Sequence, residues 1–100
     1  MKIYLAGKIA GDRRYRAKFR AAAKNLEALG YVVPNPATLP DGLADRDYMQ
    51  IGMAMLNAAD LAVFLPDYRE SKGAMVEWGY CQRIGKDCAM YMEITGGGRR

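Results

Sequence analysis

The sequence predicts an α/β domain in which a parallel four-stranded sheet is covered by helices on both faces. Three observations support this prediction. Strand-like and helix-like segments alternate along the chain, the connections between them are short, and 100 residues suit one domain. Right-handed crossovers between such segments force neighbouring strands to run parallel. We expect the strand order 2-1-3-4, which places the first and third strands side by side.

The first half of the chain contains two predicted strands and one helix. Residues 2–6 are rich in Ile, Tyr and Leu and form the first strand. Apolar side chains then recur at spacings of three and four residues, which predicts a helix over about 12–29. Asp12 is its candidate N-cap and Gly30 its C-terminal stop. Residues 31–33 form a short second strand, because the Pro-Asn-Pro sequence that follows cannot continue a ladder.

The second half of the chain repeats this alternation. After a loop with a Pro-Asp-Gly turn signal at 40–42, a helix begins at Asp45 or Asp47. We expect residues 1–94 to form a single domain and residues 95–100 a flexible tail. The remaining predicted boundaries are the end of this helix near residue 59, a strand at 61–65, a helix at about 73–84 and a strand at 87–92.

Composition excludes several classes of protein. An apolar content of 51% excludes a disordered chain, and no apolar run approaches the ~20 residues that span a bilayer. The N-terminus lacks the features of a signal peptide, so we expect a cytoplasmic protein. The chain has no histidine, and its two cysteines lack the spacing of metal ligands. We therefore expect no metal and no cofactor, with acid–base chemistry left to carboxylates, tyrosine or lysine.

Positive charge is concentrated in the first predicted helix, and the chain has a net charge of +4. A solvated helix face is the simplest interpretation. The alternative is attraction of phosphate, either on a nucleotide or on a nucleic acid. No nucleic-acid-binding motif supports the binding of a nucleic acid, so we do not expect a nucleic-acid partner. The basic residues are Arg13, Arg14, Arg16, Lys18, Arg20 and Lys24.

Two predicted strands end in residues suited to ligand binding. The first strand runs into Gly7 and Lys8, and the third runs into the loop 66–71 and the start of a helix. In open parallel sheets, ligands bind in the crevice outside the carboxyl ends of the strands. If the two strands are neighbours, the sequence predicts a small-molecule pocket at this edge.

Several residues near that edge can carry chemistry. Glu77 lies one to two turns into the third predicted helix, among apolar neighbours. A carboxylate there could act as a nucleophile or general base, or it could be an ordinary exposed or salt-bridged glutamate. Ser71 can cap its own helix or bind phosphate, and Gly73 lets a ligand approach the backbone. Tyr4 packs in the core or faces the pocket. Asp60 precedes a buried strand and suits a structural or orienting role.

Four motifs spread over residues 1–92 are typical of one family: Lys-Ile-Tyr-Leu-Ala-Gly at 2–7, Asn35-Pro-Ala, Ala59-Asp60 before an apolar strand, and Ser71-x-Gly-Ala-x-x-Glu77-x-Gly. They resemble the nucleoside 2-deoxyribosyltransferase superfamily, especially a compact branch found in bacteria and phages. The resemblance implies a flavodoxin- or Rossmann-like three-layer αβα fold. It also implies cleavage of the N-glycosidic bond of deoxynucleosides. Transferases of the family exchange bases through a glycosyl–enzyme ester, whereas related N-hydrolases cleave 2′-deoxynucleoside 5′-monophosphates.

The resemblance also implies roles for individual residues. Glu77 matches the nucleophilic glutamate, and Tyr4 matches the tyrosine that orients that carboxylate or the sugar. Attack of the carboxylate on C1′ would resemble the chemistry of retaining glycosidases. Ser71 matches a serine that contacts the 5′-phosphate in the nucleotide hydrolases. The other candidate substrate-binding residues are Gly7, Lys8, Gly73 and Ala74.

The sequence departs from the family pattern in two places. Family members usually carry an aspartate about eight residues before the position of Asp60, where it protonates or orients the leaving base, but this chain has Gly52. Asp47 and Asp67 are the nearest substitutes, and Asp67 is our candidate for a second catalytic carboxylate. Lys8 stands where the nucleotide hydrolases have a serine.

These departures leave more than one function open. The first hypothesis is an enzyme that cleaves or transfers at the N-glycosidic bond of a nucleoside or nucleotide. The alternative is a non-catalytic nucleotide-binding module of the same fold, and a nucleic-acid accessory protein ranks last. We expect a homodimer or higher homo-oligomer, because a pocket at the edge of so thin a domain is otherwise open to water. We expect no membrane partner.

Overall fold

The computed structural model describes residues 1–96 as one parallel sheet with helices on both faces. The predicted α/β class and the parallel sheet are confirmed. The strands are β1 (Ile3–Ala6), β2 (Leu61–Phe64) and β3 (Cys88–Met90). The helices are α1 (Tyr15–Ala28), α2 (Asp45–Ala58), α3 (Lys72–Ile84) and α4 (Tyr91–Thr95), with short 3₁₀ turns at Pro36–Thr38 and Tyr68–Glu70.

The described sheet has three strands in the order β1-β2-β3, so the prediction of four strands is wrong. The segment expected as a second strand, residues 31–33, contributes a single parallel bridge between Val32 and Lys2. Pro34 follows at once, and proline has no N–H to donate to a ladder. The outer position beside β1, which the predicted order 2-1-3-4 gives to the second strand, is therefore held by one bridge and not by a strand.

The strands alternate their side chains between two cores. Helices α1 and α4 cover one face of the sheet, and α2 and α3 cover the other. The first core contains Ile3, Leu5, Val63, Leu65 and the α1 residues Phe19 and Leu26. The second contains Tyr4, Ala6, Ala62, Phe64 and the helical residues Leu56, Ala74 and Cys81. Among residues 1–96, Glu77 on α3 is the only charged side chain that is buried.

An aromatic cluster fixes α3 against the end of β2. The ring of Phe64 meets those of Tyr68 and Trp78 edge-on, with centroids 5.3 Å and 5.2 Å away. Such edge-to-face pairs are favourable beyond the area that they bury. Because Trp78 follows Glu77 directly in α3, the cluster also fixes the rotation of the helix that carries the carboxylate.

Two helices begin differently from the prediction. Asp12 is not the N-cap of α1, since Arg14 holds that position without a side-chain cap. The Asp12 carboxylate instead accepts a hydrogen bond from the backbone N–H of Arg14 at 2.9 Å. The N-cap of α2 is Ala44, and Asp47 in the first turn accepts from the Ala44 N–H at 3.0 Å. The predicted aspartates thus support these helix starts from neighbouring positions.

The last predicted strand, at 87–92, is longer than the observed strand β3. It ends at Met90, whose backbone N–H donates to the Glu93 carboxylate at 2.8 Å and so starts α4. Thr95 belongs to α4, and from residue 97 the predicted tail lies outside the described residues. None of the helices within residues 1–96 is long and apolar enough to cross a bilayer.

Ser71 caps α3, and its removal is expected to destabilise the fold. Its Oγ accepts a hydrogen bond from the Ala74 N–H at 3.1 Å. Ser71→Ala leaves that helix-end donor without its partner, so we expect a loss of about 1 kcal/mol in the free energy of unfolding, measured by urea denaturation. Ser71→Asp, which keeps a cap acceptor, should retain most of the stability. Equal midpoints for Ser71→Ala and the wild type would contradict the cap.

Candidate active site

The centre of the candidate site is a buried pair formed by Tyr4 and Glu77. Strand β1 directs Tyr4 towards α2 and α3, and the second turn of α3 directs Glu77 towards β1. The Tyr4 hydroxyl donates to Glu77 Oε2 at 2.5 Å. The two residues are only 2% and 7% exposed. The structure thus brings together two residues that lie far apart in the sequence.

Burial controls the ionisation of this pair. Loss of solvent raises the pKa of Glu77 to about 7, although the hydrogen bond from Tyr4 acts in the opposite direction. Burial also raises the pKa of Tyr4 far above its ordinary value, and the charge of Glu77 adds to this rise. Tyr4 therefore remains a donor at neutral pH, while Glu77 is poised between its two forms.

The two oxygens of Glu77 have different surroundings. Within residues 1–96, its only hydrogen bond is the one from Tyr4 to Oε2. No buried side-chain oxygen in this part of the chain lacks a partner, so Oε1 retains contact with solvent. Oε2 is therefore held by Tyr4, while Oε1 touches solvent and accepts no hydrogen bond among residues 1–96, an arrangement that suits a carboxylate nucleophile.

Helix α2 approaches this pair through Gly52. A Cβ atom at Gly52 would lie 3.0 Å from Tyr4 Oη and 3.1 Å from Glu77 Oε2. The residue occupies the place where the resemblance leads one to expect an aspartate. Bare backbone therefore replaces an acid beside the candidate nucleophile. The signal in the sequence was a glycine in the interior of a predicted helix.

The start of α3 forms one border of the site. The Ser71 hydroxyl is engaged with the Ala74 N–H, so capping is the interpretation that the structure shows. A Cβ at Gly73 would lie 3.5 Å from the Met49 side chain of α2. These residues precede Glu77 by one to two turns of the same helix.

The ends of β1 and β2 press against each other. A Cβ at Gly7 would approach the Leu65 side chain to 2.9 Å, so a larger residue at this position would have to displace Leu65. Beyond Gly7, the Lys8 N–H donates to Asp67 Oδ1 at 3.1 Å. The Asp67 carboxylate makes no hydrogen bond to Tyr4 or Glu77 among the contacts of residues 1–96. Its surroundings are those of a loop anchor.

Lys18 is a site residue that the sequence interpretation missed. Its ammonium group donates to Asp67 at 2.5 Å, to Asp12 at 2.6 Å and to the Lys8 carbonyl at 2.8 Å. Burial lowers the pKa of Lys18, but its hydrogen bonds to the two carboxylates outweigh that effect and raise it overall. Lys18 therefore does not belong to a solvated helix face, because it joins α1 to the loops after β1 and β2.

An open cavity of about 840 Å³ lies beside this network. Its rim carries both signs of charge, and Lys8 Nζ lies 3.2 Å from Glu70 Oε1. In the part of the chain that the structure describes, Arg13 and Arg14 form no ion pair, so they give the rim attraction for anions. The cavity is lined by Lys8, Gly11, Asp12, Arg13, Arg14, Asp67 and Glu70.

Asp60 lies at the opposite edge of the sheet. Its carboxylate accepts a hydrogen bond from the Lys2 N–H at 2.9 Å, which lowers the pKa of Asp60. This contact ties the amino ends of β1 and β2 together, away from Glu77. No three acidic, cysteine or histidine side chains within residues 1–96 converge to hold a metal ion.

Comparison with known proteins places the chain in a family and identifies its fold. Residues 1–90 match the family described as "Domain of unknown function (DUF4406)", and the chain belongs to that family. The structure is similar to that of a 2-deoxyribosyltransferase from the psychrotolerant bacterium Bacillus psychrosaccharolyticus, with a TM-score of 0.71. The match covers 90% of this chain and 71% of the transferase, at 21% identity. No curated protein matches the sequence.

The structural match confirms the resemblance to nucleoside 2-deoxyribosyltransferases at the level of the fold. The chain folds as they do, with a parallel sheet between two helical layers. Identity of sequence is too low for the match to transfer an activity, since one fold carries many functions. Function has to be argued from the Tyr4–Glu77 pair and its surroundings.

Proposed function

We propose that the protein cleaves or transfers at the N-glycosidic bond of 2′-deoxynucleosides or their 5′-monophosphates. The observation that carries the proposal is the state of Glu77. This buried carboxylate has one oxygen held by Tyr4 and the other open to solvent. The shared fold with a 2-deoxyribosyltransferase supports the same substrate class.

The reaction follows from this geometry. Glu77 Oε1 attacks C1′ of the deoxyribose, and the C1′–N bond breaks with its electron pair leaving on the base. The departing base takes a proton from solvent. Water then attacks C1′ of the glycosyl ester in hydrolysis, or a second base attacks it in transfer, and the carboxylate is restored. Tyr4 holds Oε2 throughout, which keeps the carboxylate aligned.

The start of α3 and the loop after β1 suit the rest of the substrate. The first backbone N–H groups of α3 and the Ser71 hydroxyl attract a 5′-phosphate, helped by the positive end of the helix dipole. Lys8 adds a cation at the same edge of the sheet. Asp67, our other candidate catalytic residue, is held by Lys18 and therefore serves to orient this loop. We propose a cytoplasmic homo-oligomer as the working form.

The test is release of free base from a panel of deoxynucleosides and their monophosphates, followed by chromatography. We expect the wild type to release base and Glu77→Ala to lose about 10³-fold or more of the rate, because the nucleophile is gone. Glu27→Ala, which removes an exposed carboxylate from α1, is the matched control and should retain the full rate. Undiminished release by Glu77→Ala would refute the mechanism.

The second candidate function is a nucleotide-binding module without turnover. Gly52 favours it, because α2 supplies no acid beside Glu77. A binding module would release no base from any substrate in the panel. It would still be stabilised thermally by its nucleotide, since a ligand that binds only the folded state raises the melting temperature.

A further inference from the structure

We propose that Gly52 is a positioning residue for Glu77: the bare backbone of α2 keeps Tyr4 bound to Oε2 and leaves Oε1 as the oxygen that reacts. The inference rests on the proposed function for the reaction itself. The contact on which it depends is independent of any substrate. It joins three elements of the fold, which are β1, α2 and α3.

A side chain at Gly52 would crowd the Tyr4–Glu77 pair. A Cβ there would lie 3.0 Å from Tyr4 Oη and 3.1 Å from Glu77 Oε2, both closer than ordinary van der Waals contact. The hydrogen bond between these atoms is already short, at 2.5 Å. An added methyl group must therefore displace Tyr4 Oη, Glu77 Oε2 or the α2 backbone.

Glycine at position 52 lowers the stability of helix α2. In the interior of a helix, glycine is about 1 kcal/mol less favourable than alanine. Gly52 lies in the middle of α2 and is buried against the reactive pair. Residues that contradict the local secondary-structure preference are expected at functional sites, where function requires them. Gly79 provides the contrast, because a Cβ at that position in α3 would meet nothing within 4 Å.

Displacement of Tyr4 would change how Glu77 ionises. The titratable groups that interact with this pair are Tyr4 itself, from β1, and the Cys81 thiol on α3. Burial raises the pKa of Cys81 to about 12, so this thiol stays neutral. Helix α2 presents Gly52 here and no charge. Because the Tyr4 hydrogen bond lowers the pKa of Glu77, weakening it raises that pKa above about 7.

The experiment compares Gly52→Ala with Gly79→Ala, the same change in an open position. The Glu77 carboxyl is titrated by NMR after labelling with ¹³C-glutamate, and base release is measured against pH. We expect Gly52→Ala to raise the Glu77 midpoint by about one pH unit, the equivalent of one weakened hydrogen bond. The rate at pH 7 should fall several-fold and recover at higher pH. Gly79→Ala should change neither quantity.

A second background separates a positioning role from a general disturbance of packing. Tyr4→Phe removes the hydroxyl that the new methyl group would strike, so Gly52→Ala should shift the Glu77 midpoint much less in that background. Equal shifts in both backgrounds, or no shift in either, would overturn the inference. If Gly52→Ala fails to fold, recovery of the folded state in the Tyr4→Phe, Gly52→Ala double variant supports the contact, and no recovery overturns it.

The titration and the base-release assay test different claims: the titration tests the role of Gly52, and base release by the wild type tests the proposed function. If the wild type releases no base from any substrate, the proposed function is wrong whatever the titration shows. If the wild type releases base but Gly52→Ala leaves the midpoint and the pH profile unchanged, the proposed function stands and the role of Gly52 is wrong.

Discussion

Glu77→Gln should make the protein more stable above pH 7 by about 3 kcal/mol while it abolishes base release. Burial raises the pKa of Glu77 from 4.5 to about 7, so the folded protein holds this proton more tightly than the unfolded chain does. A difference of that size is worth about 1.4 kcal/mol per pH unit. Glutamine keeps an oxygen for the Tyr4 hydroxyl and removes the buried charge. The gain in stability and the loss of activity have one cause.

The direction of the pH dependence follows from the same shift. Between pH 4.5 and about 7 the unfolded chain has released the proton and the folded protein has not. The free energy of unfolding therefore falls as pH rises through this window, and it levels off once both states are ionised. Below the window both states are protonated, and the wild type and Glu77→Gln should have similar stabilities.

Urea denaturation of both proteins from pH 4 to pH 9 measures this effect. Glu27→Gln is the control, because it removes an exposed carboxylate from α1 and changes the net charge equally. We expect its stability to follow that of the wild type. A Glu77→Gln protein no more stable than the wild type at pH 8 would show that the buried carboxylate carries no ionisation cost, which would remove the argument for a poised nucleophile.

Lys18→Ala should destabilise the protein by about 2 kcal/mol, because it leaves two carboxylates without their common partner. Lys18 Nζ lies 2.5 Å from Asp67 and 2.6 Å from Asp12, and its side chain is only 27% exposed. Loss of one member of a buried ion pair costs about 3–5 kcal/mol, and partial solvation reduces that figure here. The loops after β1 and β2 should become more mobile as a result.

Lys24→Ala is the matched control, since Lys24 lies on the same helix and is exposed. Thermal unfolding gives the stability of both variants, and hydrogen exchange at residues 8–12 and 66–70 gives the mobility of the loops. Adding Asp12→Asn to Lys18→Ala should restore part of the loss by removing one of the two stranded charges. If Lys18→Ala unfolds at the same temperature as Lys24→Ala, the network contributes nothing to stability.

Local sequence patterns were sufficient for the main elements of the fold. Periodic apolar residues placed α1 and α2, and a run from Leu61 to Leu65 marked the central strand. The alternation of strands and helices then implied parallel pairing, which brings the start of α3 beside the end of β1. That logic, together with the family resemblance, singled out Tyr4 and Glu77, and the structure places them in contact. Their catalytic roles remain predictions.

Contacts between distant segments could not be predicted in this way. Residues 31–33 have the composition of a strand, yet only Val32 finds a partner beside Lys2. Lys18 looked like one of several solvated cations, because its two carboxylate partners are assembled only by the fold. In the sequence, Gly52 stood out only because the family resemblance leads one to expect an aspartate at that position. Its close approach to Tyr4 and Glu77 depends on how α2 packs across the sheet.

The aromatic cluster beside β2 gives the protein a built-in optical reporter. Trp78 is the only tryptophan in the chain, and it directly follows Glu77 in α3. Its ring is fixed by Phe64 at 5.2 Å and Tyr68 at 5.6 Å, so its emission depends on how α3 is seated against the sheet. Fluorescence from one side chain therefore follows both unfolding and any movement of the helix that carries the carboxylate, without a label.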